Sequence, residues 1–225
     1  MNNAERDRKL YRYPDSDLLR NVPDIRDSVQ LQLFEQESVQ QRMREGPPSG
    51  NFDLAHLQAI HCHLFQDVYE WAGEVRRVDI SKGGRWFHPH DRIETGMADV
   101  HRRLVSGKFL TGLGRKDFAQ EAGAIIGDVN LVHPFREGNG RTQFQYLKQL
   151  GRLAGHYIDL TRFERDEWIG ASIASIDADY GPMSACILNS ITGRGRLHRE
   201  DMAAQAFKNV DDRIAADRAD TDRDR

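Results

Sequence analysis

Nine consecutive residues, His133-Pro134-Phe135-Arg136-Glu137-Gly138-Asn139-Gly140-Arg141, gather an imidazole, a carboxylate, a glycine-framed asparagine and a guanidinium. His133 can deprotonate a hydroxyl near neutral pH, the work of a general base. Glu137 offers the kind of oxygen that magnesium takes alongside substrate phosphates. Gly138 and Gly140 allow backbone conformations and close approaches that side chains block. With Asn139 between them, they can form a nest of N–H donors for a phosphate. Arg141, in the first turn of the next helix, can hold phosphate in a forked geometry. These are the parts of a phosphoryl- or nucleotidyl-transfer site, where positioning and charge neutralisation supply most of the catalysis. Each residue alone has a plainer role: His133 capping a helix, Glu137 and Arg141 pairing at i, i+4, Gly-Asn-Gly as a turn. Their joint occurrence in nine residues favours the chemical reading.

The elements around the loop are legible from periodicity. An apolar helical pattern (Phe118, Ala122, Ile125, Ile126, Val129) leads into it from Asp117, and a second, with Phe144, Leu147 and Leu150, runs from Thr142 to Ala154. The loop is therefore a tight turn between two helices, the second of which points its N-terminal N–H groups outward. Upstream, a helix begins near Asp27, and Asp53 caps another carrying Leu54, Leu57, Ile60, Leu64 and Val68 on one face. Between Trp71-Ala72-Gly73 and the helix marked by Ile93, Met97, Val100 and Leu104, the period changes. Val75 to Ile80 suits a short strand, Ser81-Lys82-Gly83-Gly84 a turn, and Arg85-Trp86-Phe87 a returning arm. A lone hairpin on a helical protein has exposed edges, which can dock another chain's backbone. Two further helices are expected over Glu164–Ala178 and Pro182–Ile191, and an amphipathic one from Glu200 to Ile214 before a charged tail. Residues 1–11 read as charged and loose. The segment Gly46 to Asn51 is the clearest linker, giving an N-terminal helical arm (1–49), a main domain (50–195) and a C-terminal helix with tail (196–225).

The chain has 225 residues, with 32 basic and 35 acidic side chains, enough for one substantial core and without the basic excess of a nucleic-acid binder. No apolar run is long enough to span a membrane, and no signal peptide stands at the start. The expected setting is the cytoplasm. Cys62 and Cys186 lie in apolar helical patterns and read as buried small hydrophobes in a reducing compartment. The pair His61 and His63 around Cys62 faces opposite ways on a helix, so a zinc set is not expected.

The stretch His133 to Arg141 resembles the HPFx(D/E)GNGR signature of the Fic family of nucleotidyl transferases. A second region, Leu57-x-x-Ile60-His61-x-x-Leu64-Phe65-x-x-Val68-Tyr69-x-Trp71-Ala72-Gly73-Glu74-Val75-Arg76 with Lys82-Gly83-Gly84 and Phe87, is similar to the helix and flap that precede it in Fic domains. The resemblance spans roughly residues 50–195, and the arm from Tyr11 resembles bacterial Fic toxins and secreted effectors. It implies a mostly α Fic-type helical bundle with a small β-hairpin flap, moving AMP from ATP, with Mg2+, to a protein hydroxyl. On this resemblance His133 is the base, Glu137 the magnesium ligand, Gly138-Asn139-Gly140 the anion hole and Arg141 a phosphate holder. The flap residues Val78, Asp79, Ile80, Ser81, Lys82, Gly83 and Gly84 align the target segment. Glycine at position 140, where the death-on-curing kinases carry lysine, favours nucleotide over phosphate transfer.

Two features depart from the family pattern. The signature continues Arg-x-x-Arg, with the second arginine associated with the terminal phosphate of ATP; here that position is Phe144. A weakly active domain serving as a binding module, or a different donor such as UMP or phosphocholine, is the alternative this raises. Many relatives also carry an inhibitory Ser/Thr-x-x-x-Glu helix. No glutamate in this sequence has Ser or Thr four residues before it. Restraint is then expected from a separate small antitoxin-like partner, as for the toxin of a toxin–antitoxin pair, with DNA gyrase or topoisomerase IV subunits as family-typical targets. Delivery into a host cytosol is the expectation for an effector.

Overall fold

The computed structural model describes residues 2–194, and the helix and charged tail expected beyond Glu200 lie outside the described residues. Among the described residues eight α-helices run in order: α1 (Asn3–Tyr11), α2 (Ser28–Glu45), α3 (Leu54–Phe65), α4 (Ile93–Ser106), α5 (Arg115–Val132), α6 (Asn139–Ala154), α7 (Arg165–Ile176) and α8 (Gly181–Ser190). Helix α5 lies at the centre, packed by α4, α6, α7 and α8, while α3 rests on α6 and α2 on α3. The buried face of α5 contains the stripe read from the sequence (Phe118, Ala122, Ile125, Ile126, Val129) and extends it to Val132. A Cβ added at Gly123 would overlap Ser184, so α8 approaches α5 as closely as backbone allows. The same core takes in Tyr11, Leu31 and Val39 from the N-terminal arm.

Asp53, expected as a cap, does that work, and so does Asp27, near which a helix was expected to begin. The Asp27 side chain accepts from the N–H groups of Val29 and Gln30, and that of Asp53 accepts from His56 N–H. Residues 3–11 differ from expectation. They form α1, started by a capping box in which Asn2 accepts from Glu5 N–H (2.9 Å) and Glu5 accepts from Asn2 N–H (3.0 Å). The segment Val75–Ile80 makes no strand. Its polar groups are taken by side chains and by the loop after α5, which leaves only a minimal hairpin, β1 (Ser81–Lys82) with β2 (Arg85–Trp86). A second ribbon not foreseen from the sequence pairs β3 (His156–Ile158) with β4 (Ile191–Arg194), with β3 packed on α6. Cys62 is exposed rather than buried and Cys186 half-buried, because Cys62 faces away from the apolar stripe of α3.

Candidate active site

Helix α5 ends at His133, whose backbone is left-handed (φ 46°, ψ 62°), an uncommon conformation for a side-chain-bearing residue. Its N–H still bonds to Val129 C=O (3.0 Å), so the imidazole leaves the helix axis at a fixed place. Nδ1 lies 3.0 Å from the carbonyl of Asn130. A carbonyl only accepts, so Nδ1 carries the hydrogen and Nε2 of the neutral ring keeps its lone pair. Asn130 is itself tied to α7 through Ser172 C=O (2.9 Å) and Ser175 Oγ (3.2 Å). The ring stacks on Phe87, with centroids 3.7 Å apart. Burial pushes its pKa down to about 3, against the pull of the Asn130 carbonyl, and the cations Arg76 and Lys82 push the same way as burial.

The loop closes at Gly138, left-handed in its turn (φ +81°), and a Cβ there would overlap the Phe65 ring. Asn139 is buried, and its side chain bridges the loop: Oδ1 accepts from Phe135 N–H (2.9 Å) and Nδ2 donates to Phe135 C=O (2.8 Å). Its amide therefore shapes the loop, and only its backbone is left for an anion. Helix α6 has no side-chain cap. The N–H groups of its first turn have no partner in the helix itself. Nothing lies within 4 Å of a Cβ built on Gly140, so the space before this helix end is open.

The two charged residues of the loop's end sit beside that space. Glu137 Oε1 accepts from Gly138 N–H at 3.0 Å and lies 3.7 Å from Arg141 Nη2. Arg141 Nη1 meets Glu35 Oε1 of α2 at 2.6 Å, and its guanidinium lies 4.7 Å above the Phe65 ring. Glu35 also accepts from the Tyr69 hydroxyl, whose pKa is raised by burial and then by that carboxylate. Glu35 did not stand out from the sequence, because a glutamate on an amphipathic helix is ordinarily a solvated face; Tyr69 stood there within the Fic-like helix region, without a role of its own.

Two buried polar residues hold the loop's backbone. Arg76 is 1% exposed. Its Nε donates to His133 C=O (2.7 Å), Nη1 to Val78 C=O (2.6 Å), and Nη2 to Val132 C=O (3.2 Å) and His88 C=O. Its own N–H bonds to Pro134 C=O at 2.8 Å. One cation thus ties both roots of the flap to the turn that carries His133. Val78 is buried as part of that root, and the exposed flap residues begin with Ser81. His61 accepts from Gly73 N–H at Nδ1 (2.8 Å) and donates from Nε2 to Glu137 C=O (3.0 Å). It stacks on Phe135 at 3.9 Å, and burial pushes its pKa down to about 4. Arg136 is held by Asp7 of α1 through two hydrogen bonds (2.5 and 3.0 Å). Among the described residues no group of three or more His, Cys, Asp or Glu could hold a metal by itself.

Residues 51–150 match the model of the Fic/DOC family. The chain is 39% identical over 180 residues to a protein of Sinorhizobium fredii described as a probable protein adenylyltransferase, covering 80% of this chain and 94% of that one. It is 40% identical over 185 residues to a protein adenylyltransferase of Bartonella schoenbuchensis, 81% of this chain but 39% of that longer one. Among solved structures, the Bartonella tribocorum effector BepC with bound AMPPNP superposes with a TM-score of 0.76 at 27% identity, over 81% of this chain and 96% of that one. The N-terminal Fic domain of a VirB-translocated Bartonella quintana effector with bound ADP gives 0.77 at 29% identity, over 82% and 95%.

Proposed function

The chain belongs to the Fic/DOC family and is a Fic-type protein AMP-transferase; on that premise we propose that it moves AMP from ATP to a Ser, Thr or Tyr hydroxyl of an intracellular protein. His133 Nε2 takes the proton of the target hydroxyl. The oxygen so freed attacks the α-phosphorus; its new bond to phosphorus forms as the bond to pyrophosphate breaks, and pyrophosphate leaves. The N–H groups of Asn139 and Gly140, that of Gly138 once Glu137 Oε1 turns away from it, and the guanidinium of Arg141 carry the phosphate charge. The observation that carries this reading is the tautomer of His133, held by Asn130 with Nε2 as its acceptor. That ring stands at one end of a loop whose other end is an uncapped helix.

The residues present fit magnesium. Glu137 would supply one exposed carboxylate beside the uncapped helix end, and phosphates and water would complete the ion's ligands. When bound, the ion neutralises phosphate charge as pyrophosphate departs. The hairpin around Ser81 to Gly84 presents the target's backbone by strand addition. Without a Ser/Thr-x-x-x-Glu helix in the sequence, the restraint is a separate small antitoxin-like protein, and the chain is the toxin of that pair. DNA gyrase or topoisomerase IV subunits are targets suggested by family analogy. The setting is the cytoplasm, or a host cytosol after delivery.

Incubation with α-phosphate-labelled ATP and a bacterial lysate tests the mechanism. Labelling is expected from the wild type and not from His133→Ala; labelling that survives the substitution overturns it. A second reading comes from Phe144, which packs against Phe163 and Trp168 and offers no charge to a terminal phosphate. In that reading the domain binds partners and transfers weakly or from another donor such as UMP or phosphocholine. Calorimetry with ATP and magnesium separates the two, since a binding module without nucleotide affinity gives no heat.

A further inference from the structure

The flap has an outer backbone edge on its β1 side, and part of that edge is already occupied. In the hairpin, Ser81 stands opposite Trp86 and Lys82 opposite Arg85, while Phe87 N–H bonds to Ile80 C=O at 3.2 Å. Antiparallel pairs alternate, so Ile80 and Lys82 turn their polar backbone groups toward β2, and Asp79 and Ser81 turn theirs away. The outward groups of Asp79 are both taken by one side chain. Asn3 Oδ1 accepts from Asp79 N–H and Asn3 Nδ2 donates to Asp79 C=O, each at 2.8 Å. A carboxamide matches a peptide group in donor and acceptor, so Asn3 stands where a residue of an added strand would pair.

Other contacts make this cap part of the structure rather than a stray contact. Tyr11, at the other end of α1, accepts from Arg77 N–H at 3.1 Å. The Asp79 carboxylate accepts from His90 N–H (2.8 Å) and from His90 Nδ1 (2.9 Å), which fixes the flap's root on the far side. Asp7 of the same helix holds Arg136 of the catalytic loop. Helix α1 is thus referenced to the loop bearing His133 and to the flap edge at once.

We propose that Asn3 is the end-stop of the flap: it closes the edge at Asp79, leaves Ser81 as the first open pairing position, and so sets the register of an extended target segment. This rests on the reading that the chain transfers AMP to a flap-docked protein. A strand that slips keeps its faces only in steps of two residues. An edge open at both Asp79 and Ser81 would let a target settle in two such registers and offer two different hydroxyls to His133. With Asn3 in place, one register remains.

The test uses the full chain with labelled ATP and a bacterial lysate, the modified hydroxyls being mapped by mass spectrometry. Asn3→Ala removes the cap, and Asn3→Asp keeps the acceptor while losing the donor. Ser81→Pro removes the outward N–H without touching the hairpin's own pairing. Thermal melting checks that each variant folds, and calorimetry that each binds ATP as the wild type does. In the free protein, exchange of the Asp79 amide is expected to quicken about tenfold or more in Asn3→Ala. Label confined to one hydroxyl per target segment by the wild type should spread, in that variant, to hydroxyls two residues away, with Asn3→Asp between the two. Ser81→Pro should lose target labelling. An unchanged site distribution in Asn3→Ala overturns the end-stop, and full labelling by Ser81→Pro overturns pairing at that edge. A wild type that labels nothing overturns the transfer reading and the register with it, while Asp79 exchange still decides whether Asn3 caps the edge.

Discussion

Arg76 and His133 are joined by a 2.7 Å hydrogen bond from the arginine Nε to the main-chain carbonyl of the histidine, and the arginine is buried with main-chain carbonyls around it. The nearest carboxylate oxygen, on Asp79, is 4.0 Å away. Burial lowers the Arg76 pKa to about 10, with Asp79 opposing, so the side chain stays charged at neutral pH and its donors are committed to backbone. Arg76→Met should therefore leave several buried carbonyls unpaired and cost about 2–4 kcal/mol in urea unfolding. Arg76→Lys, which cannot reach acceptors on both the flap and the loop, should recover less than half of that. Both should lose AMP transfer more steeply than ATP binding, since the flap and the base lose their common reference.

Two desolvated imidazoles, His61 buried and His133 part-buried, make acid sensitivity predictable. Unfolded, each binds its proton near pH 6.5; folded, His133 does so near pH 3 and His61 near pH 4. The folded state thus binds fewer protons in between. Its stability is complete above pH 6.5 and is lost as pH falls toward those folded values, by about 1–2 kcal/mol per histidine at pH 5. Urea midpoints at pH 7.5 and 5 measure this, and His61→Phe should flatten the difference. The same shift keeps His133 neutral across pH 5–8, so transfer should not fall in that range as it would with a free imidazole.

Gly138 and Gly140 look alike in the sequence and should respond differently. Alanine at 138 meets both a left-handed backbone and the Phe65 ring, and should cost about 2–4 kcal/mol. Alanine at 140 sits in a helical first turn with nothing near it, and should leave stability within about 1 kcal/mol. Its methyl would intrude where phosphate is proposed to sit, so ATP affinity should drop in calorimetry while the unfolding midpoint holds. Equal affinity for Gly140→Ala and wild type would move the phosphate elsewhere.

What could be read beforehand follows the range of the signal. Helices α2 to α8 announce themselves through 3.6-residue stripes and through Asp27 and Asp53, all of them local. The loop was legible because its chemistry is contiguous. The roles of the residues that hold it were not, although His61 and Arg76 stood in the Fic-like helix and flap region. Arg76 and Arg77 are neighbours of one type, and only tertiary contact decides that Arg76 is buried against Val132 and His133. His61, read as half of a doubtful metal pair, is a hydrogen-bond bridge between Gly73 and Glu137 across the fold. The strand expected over Val75–Ile80 failed for the same reason: its β-branched residues serve burial, with Val78 fully inside, and its amides bond to α1 and the loop. Helix α1 carried a capping-box spacing, Asn2 with Glu5, that charge alone obscured.

Phe144 is the departure from the family signature that a substitution can reverse. Its ring lies 4.6 Å from Trp168 and 5.1 Å from Phe163. Phe144→Arg gives up these contacts and should cost about 1–2 kcal/mol. If the family's second arginine serves the terminal phosphate, the same change should raise AMP transfer roughly tenfold or more, the usual scale for one charge-stabilising group. Labelling per folded molecule is the measurement. A stability loss with no gain in labelling would mean that position 144 is only a packing residue in this chain.

The Glu35–Arg141 pair brings the N-terminal arm beside the proposed phosphate site and divides two effects that one substitution alone would mix. Glu35 orients Arg141 through the 2.6 Å contact, and it also cancels part of the charge Arg141 offers to phosphate. Glu35→Gln keeps an acceptor for Arg141 and for the Tyr69 hydroxyl while removing the counter-charge. ATP should then bind roughly twofold to fivefold tighter, the scale of a half-exposed ion pair worth about 0.5–1 kcal/mol, and the gain should shrink at high salt. Glu35→Ala removes the orientation as well, freeing the guanidinium to take several rotamers, and should bind ATP more weakly than Glu35→Gln. In the Arg141→Ala background both substitutions should lose their effect on affinity, because the charge they modulate is gone. Calorimetry with ATP and magnesium on these five variants reads the whole cycle. If Gln and Ala at position 35 shift affinity equally and in the same direction, charge alone governs the pair and the arm does not position Arg141.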